Sequence, residues 1–89
     1  MLERELKVAN RLGLHARAAA KLVQLLSGYR SQVTLTGRGR EVNAKSIMGV
    51  LLLAAAPGAV LVLRAEGDDE AEAADACAAL FERRFDEDG

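Results

Sequence analysis

The apolar residues of this chain switch repeatedly between a strand-like period of two and a helix-like period near 3.6. That alternation limits the fold more than any other feature. Leu2, Leu6 and Val8 share one face against Glu3, Glu5 and Lys7, with Arg4 as the exception, so Leu2 to Val8 reads as a strand. Asn10 to Gly13 is a connection. Ala16, Ala19, Ala20, Val23 and Leu26, with Leu22 beside them, recur at helical spacing and predict a helix from Ala16 to Ser27, closed by a cap glycine at Gly28. Val33 and Leu35 alternate with Thr34 and Thr36. A turn at Gly37-Arg38-Gly39 and a return strand from Arg40 to Asn43 complete a hairpin. Ser46 precedes a short apolar helix from Ile47 to about Leu53, in which Leu51 and Leu52 are expected to be buried. Pro57-Gly58 is a turn, and Ala59 to Ala65 reads as a central strand.

After a turn at Glu66-Gly67-Asp68, Asp69 opens the last helix. Glu72 three residues on matches an acidic variant of the capping box. Ala74, Cys77, Ala78, Phe81 and Phe85 form the apolar stripe. Acids crowd the helix start and Arg83-Arg84 lie near its end, as the helix dipole favours, so the acidic run needs no catalytic role. Asp86 to Gly89 is expected to fray. The order β-α-β-β-α-β-α in 89 residues predicts one domain, residues 1–89, built as a two-layer α/β sandwich with helices on one sheet face.

Hydrophobic residues make up 51% of the chain but aromatics only 3%, so the core must rest on Ala, Leu and Val, with modest burial per residue. The single cysteine, Cys77, has no disulfide partner within the chain and reads as a small core residue. The charged start Met1-Leu2-Glu3-Arg4-Glu5 is unlike a secretory signal, and the longest apolar stretches are too short to span a bilayer. A cytoplasmic protein is expected. Charge is segregated along the sequence. Residues 1–65 carry ten Lys and Arg against three Asp and Glu, a net of +7, and residues 66–89 carry two against ten, a net of −8. A basic face near the histidine would suit acidic or phosphorylated partners.

The only histidine, His15, lies in Gly13-Leu14-His15-Ala16-Arg17, after a glycine turn and at the start of a run of helix formers. First-turn amides have no intrahelical acceptor and favour an anion. With the Arg17 guanidinium added, the site suits a phosphoryl group on an imidazole nitrogen. One His and one Cys far apart in sequence make a metal site improbable, and no cofactor is implied.

Two stretches carry a resemblance to a known family. Gly13-Leu14-His15-Ala16-Arg17 resembles the active-site signature of HPr, the histidine-containing phosphocarrier of the bacterial phosphoenolpyruvate-dependent phosphotransferase system. Asn43-Ala44-Lys45-Ser46-Ile47-Met48-Gly49-Val50 resembles its second signature, around a regulatory serine, and Glu66-Gly67-Asp68-Asp69-Glu70 resembles the turn entering its last helix. The resemblance implies an open-faced β-sandwich: a four-stranded antiparallel sheet covered on one face by three helices. It implies a carrier, not an enzyme. His15 would accept a phosphoryl group on Nδ1 from Enzyme I and pass it to an Enzyme II A-type domain, with Arg17 and the Ala16 backbone N–H stabilising it.

Ser46 would be a regulatory phosphorylation site for an HPr kinase/phosphorylase, although a plain helix cap is an adequate reading of the residue alone. Ala20, Lys21, Gln24, Lys45, Ile47, Met48 and Leu51 would form the docking face. A monomer is expected. Ala18 departs from the proline usual in the family, and Leu12 offers no polar side chain to a phosphoryl group. A regulatory carrier outside sugar transport is the alternative. A nucleic-acid module shares the βαββαβ order but needs aromatics on its central strands, and Gln32–Thr36 and Ala59–Ala65 have none.

Overall fold

The structure, a computed structural model, describes residues 1–87. Its elements are β1 (Leu2–Lys7), α1 (Ala16–Leu26), β2 (Gln32–Gly37), β3 (Arg40–Asn43), α2 (Ile47–Leu52), β4 (Val60–Glu66) and α3 (Glu70–Glu82), followed by a short turn over Arg84–Asp86. The strands form one antiparallel sheet in the order β1-β4-β2-β3, which makes β4 central as its β-branched composition suggested. Leu6, Val33, Leu35, Val42, Leu61, Leu63 and Ala65 point from one face of the sheet into the core. The three helices cover that face, and the other carries charged and polar residues together with exposed Val60 and Val62 of β4.

The β2–β3 hairpin closes through two residues, Arg38 and Gly39, with φ of 54° and 76°. Positive φ at both central positions is the turn geometry that matches strand twist. Against the expected stripe on α1, Ala16 and Ala20 are exposed, and the buried face is Ala18, Ala19, Leu22 and Leu26. The leucines set this face because they have more apolar area to remove from water than alanine. Gly28 does not close α1 with a left-handed turn. Tighter bonds from Gly28 N to Leu25 O and from Tyr29 N to Leu26 O take up the last carbonyls instead. On α2, Val50 and the capping Leu53 are buried, whereas Leu52 is exposed and Leu51 half-buried. A helix of six residues has room for one inward face, so adjacent leucines cannot both lie inside.

The expected capping box at Asp69 is absent. Asp69 makes no side-chain cap to α3; its carboxylate accepts from Arg30 N and Ser31 N at 2.9 Å each, and from the Ser31 hydroxyl. It therefore ties the start of β2 to the start of α3. Glu70, not Glu72, reaches back to the Gly67 amide. Gly67 itself packs so closely on Ser31 that a Cβ there would collide with it. Cys77 is buried, and desolvation pushes its thiol up to about 12, the marking of an inert core residue.

The hydrogen bond from Ser31, followed by the amide of Arg30, holds Asp69 well below the ordinary carboxylate range, at about 2. Its stabilising effect is complete above its unfolded pKa and fades as pH falls from 3.8 through about 2. Asp69→Asn is therefore expected to melt at a lower temperature than the wild type at neutral pH. The gap should narrow across that acidic window, as followed by circular dichroism melts at stepped pH.

Candidate functional site

His15 joins the loop after β1 to the first turn of α1. Its backbone is extended, with φ −81° and ψ −178°, and its carbonyl receives the Ala19 amide at 2.9 Å, the first helical bond of α1. Its ring caps the helix: Nδ1 accepts from the Arg17 amide at 3.3 Å, the place usually taken by a serine or aspartate oxygen. A nitrogen that accepts bears no proton, so the neutral ring carries its hydrogen on Nε2. Nε2 donates to Glu87 Oε2 at 2.5 Å. The ring remains 27% exposed, neither sealed in the core nor turned from the helix mouth.

The preceding loop fixes this orientation. Gly13 has φ 68°, and a Cβ there would collide with the Ala55 carbonyl oxygen. The next amide, Leu14 N, donates to that same oxygen at 3.0 Å, while the Leu14 side chain is buried. Asn10 is wholly buried and uses both amide hydrogens: Nδ2 donates to Gly13 O at 2.7 Å and to Glu87 Oε1 at 3.0 Å. One side chain thus holds the turn before the histidine and the carboxylate beyond it.

The expected fraying does not begin at Asp86. Arg84, Phe85 and Asp86 have φ of 56°, 56° and 60°, three successive left-handed residues. Each costs about 1–2 kcal/mol. Phe85 offsets this by burying its ring against Phe81, with centroids 4.9 Å apart. Lys21 Nζ donates to Phe85 O at 2.6 Å, and Arg83 Nε bonds Asp86 Oδ1 at 3.0 Å. The tight turn returns Glu87 to the histidine. Phe85 therefore lies beyond α3 and not on its stripe. Arg83 caps the helix and Arg84 follows it, so α3 has no basic residue in its last turn. Asp88 and Gly89, the rest of the segment expected to fray, lie outside the described residues. Burial alone would raise the Glu87 carboxyl, but hydrogen bonds from Asn10 and His15 and the charges of His15 and Lys21 hold it below its ordinary value.

An open depression of about 850 Å³ lies at the ring, bordered by Arg11, Arg17 and Lys21 among cations and by Asp86 and Glu87 among acids. Two acids of the acidic stretch, Asp86 and Glu87, thus lie beside the cations around the histidine. Among the described residues no ion pair engages the Arg17 guanidinium, which is exposed beside the ring. An anion brought to Nδ1 would meet first-turn amides and the exposed Arg17 guanidinium, while Nε2 faces a carboxylate. Ala18 is buried in the first turn. Its amide precedes the first helical bond, so alanine in place of proline alters backbone freedom and costs no helical hydrogen bond.

The other anticipated residues are distributed over α1 and α2, which pack together. Ala20 and Gln24 are exposed on α1. Ile47 and Met48 are 43% and 69% exposed on α2, and Leu51 is half-buried. Lys21 is occupied by Phe85 O, and Lys45 Nζ by Tyr29 O at 2.6 Å. Ser46 caps α2, its Oγ accepting from Gly49 N at 3.1 Å. Exposed Leu12 and Leu52 add apolar surface. Sequence reasoning missed Asn10 and Glu87. A buried polar residue beside a glycine turn is a detectable brace. Glu87 gives no local signal, since its contact with His15 spans 72 positions.

Residues 2–83 match the family model for the PTS HPr component phosphorylation site. The chain belongs to the HPr phosphocarrier family. Its members are phosphocarrier proteins of the phosphotransferase system, not enzymes. The chain is 61% identical over 88 residues to a phosphocarrier protein HPr of Xylella fastidiosa, covering 99% of each. It is 40% identical over 86 residues to a phosphocarrier protein NPr of Shewanella violacea, covering 97% of this chain and 94% of that one. The solved structure of HPr-C-His from Thermoanaerobacter tengcongensis superposes with a TM-score of 0.95 at 45% identity, covering 100% of both chains. The sheet order and three helices are those of the HPr fold.

The left-handed turn depends on one buried ring. Phe85→Ala should cost about 3–5 kcal/mol of unfolding free energy, the usual range for deleting a fully buried phenylalanine. The shift of the urea midpoint relative to wild type measures it.

Proposed function

We propose that this protein accepts a phosphoryl group from Enzyme I on His15 Nδ1 and donates it to an Enzyme II A-type domain in sugar uptake, acting in the cytoplasm as a single carrier unit. The observation that carries this reading is the two-sided environment of the ring: Nδ1 meets the Arg17 amide at the helix mouth, while Nε2 keeps its proton against Glu87. A neutral imidazole so oriented keeps its basic lone pair at Nδ1 near pH 7, held by the Arg17 amide until a phosphoryl group replaces that contact. The amides of Ala16 and Arg17 and the Arg17 guanidinium would take the equatorial oxygens. Identity to an HPr exceeds that to an NPr, which favours transport over a regulatory branch.

The docking face comprises Ala20, Lys21 and Gln24 on α1 with Lys45, Ile47, Met48 and Leu51 around α2. Exposed methionine suits a surface that accepts several partners. Ser46 serves as a regulatory site for an HPr kinase/phosphorylase. A phosphate there is tolerated at the N-terminus of α2 but opposes acidic partner surfaces.

Incubation with Enzyme I and phosphoenolpyruvate should add one acid-labile phosphate by intact mass. His15→Ala should add none, and a phosphorylated His15→Ala protein would refute the assignment. Offering the phosphorylated protein to purified sugar-specific and regulatory acceptors separates transport from the regulatory branch. Ser46→Asp should accept phosphate more slowly, on the order of tenfold, because like charges across an interface cost roughly a kcal/mol or more. Equal rates in stopped quench assays would remove the regulatory role.

A further inference from the structure

We propose that Glu87, held by Asn10, is a positioning residue that keeps His15 Nε2 protonated and so keeps a phosphoryl group on Nδ1 transferable. The inference rests on the carrier reading given above. Three contacts define the device: Asn10 Nδ2 to Glu87 Oε1 at 3.0 Å, Glu87 Oε2 to His15 Nε2 at 2.5 Å, and the Arg17 amide to Nδ1 at 3.3 Å. Asn10 is inaccessible to water and also grips Gly13 O, so the carboxylate is referenced to the same loop that orients the ring. The turn over Arg84–Asp86 reaches this position only by adopting three left-handed residues. Backbone strain of this kind persists where surrounding contacts over-determine it.

The chemistry follows from electron counting. The Nδ1 lone pair, released as the Arg17 amide transfers its hydrogen bond to a phosphoryl oxygen, forms a bond to phosphorus, and the donor's bond to that phosphorus breaks with its electron pair leaving on the donor. No proton leaves Nε2, so the phosphorylated ring is an imidazolium. Its positive charge lies against the Glu87 carboxylate, as an aspartate faces the imidazolium of a hydrolase triad. In onward transfer the N–P electron pair returns to Nδ1. A ring that retains Nε2–H leaves as neutral imidazole, whereas a ring that has lost that proton must leave as imidazolate, a far poorer leaving group. The other charged groups around the ring are the cations Arg11, Arg17 and Lys21 and the acid Asp86. The cations disfavour the imidazolium, and Asp86 is engaged by Arg83. Glu87 is therefore the group that offsets them at Nε2.

Two measurements test this. In the unphosphorylated protein, imidazole nitrogen NMR should show the neutral ring protonated on Nε2, with a slowly exchanging hydrogen that is lost in Glu87→Ala. A ring protonated on Nδ1 would overturn the proposal without reference to any partner. In the protein phosphorylated by Enzyme I and phosphoenolpyruvate, Glu87→Gln should move the pH profile of phosphate release to lower pH by about one unit, the usual effect of one adjacent opposite charge. At a fixed pH above the midpoint, release should be about tenfold slower. Glu72→Gln, which removes a charge from the first turn of α3, should leave the profile unmoved. A Glu87→Gln profile coincident with wild type would show that the tail only docks there. Failure of the wild type to take up phosphate would instead refute the carrier reading, which the NMR result distinguishes.

Discussion

The Ala55 carbonyl oxygen is the fixed point from which the site is built. It receives the Leu14 amide and leaves no room for a Cβ on Gly13, so the loop before α1 can lie against it in one way. That contact aims the next residue, His15, at the N-terminus of α1, where its ring closes the helix. A buried leucine side chain anchors the loop from below and a buried asparagine grips it from the side. The functional group is therefore not carried on a mobile segment. It is part of the helix's own capping, and displacing the ring would also leave a first-turn amide without its acceptor.

Two ring nitrogens in opposed electrostatic settings follow from this placement. The helix terminus supplies partial positive charge where Nδ1 lies, and the end of the chain supplies a carboxylate where Nε2 lies. Helix amides and cations stabilise an incoming anion, but they also disfavour the positive charge that the ring acquires on forming a bond to phosphorus. A carboxylate on the far nitrogen relieves that conflict. Its titration is held below the ordinary carboxylate value, despite desolvation, by hydrogen bonds from Asn10 and His15.

The strands, helices and their order are legible because each has an apolar face, and the central place of β4 is legible from the apolar, β-branched stretch Val60 to Leu63. Helix ends are less legible. Gly28 and the Asp69-to-Glu72 spacing looked like caps, yet the carbonyls at Gly28 found tighter partners, and Asp69 bonds across to Ser31. Local patterns identify candidate caps, but tertiary contacts choose among them. The same division holds at the site. His15, Arg17 and the glycine turn lie within five residues and form a readable motif. Glu87 reaches the ring only because Phe85, which continues the helical spacing of the stripe, is buried after the chain has left α3.

Ala18, where the resemblance leads one to expect proline, fits the same scheme. Its amide lies ahead of the first helical bond, so the substitution removes a restriction on φ without adding or deleting a rung of the helix. The side chain is wholly buried against the core, which confines the residue by packing instead of by a ring. What proline would restrict covalently at one position, this chain restricts through contacts on both sides: Leu14 bound to Ala55 before the histidine, and Ala18 and Ala19 buried after it. Orientation of the imidazole then depends on the integrity of the surrounding core, and the tail that reaches it is held by the same core through Phe85. The site and the fold thus share their stabilising contacts, so loosening either is expected to loosen the other.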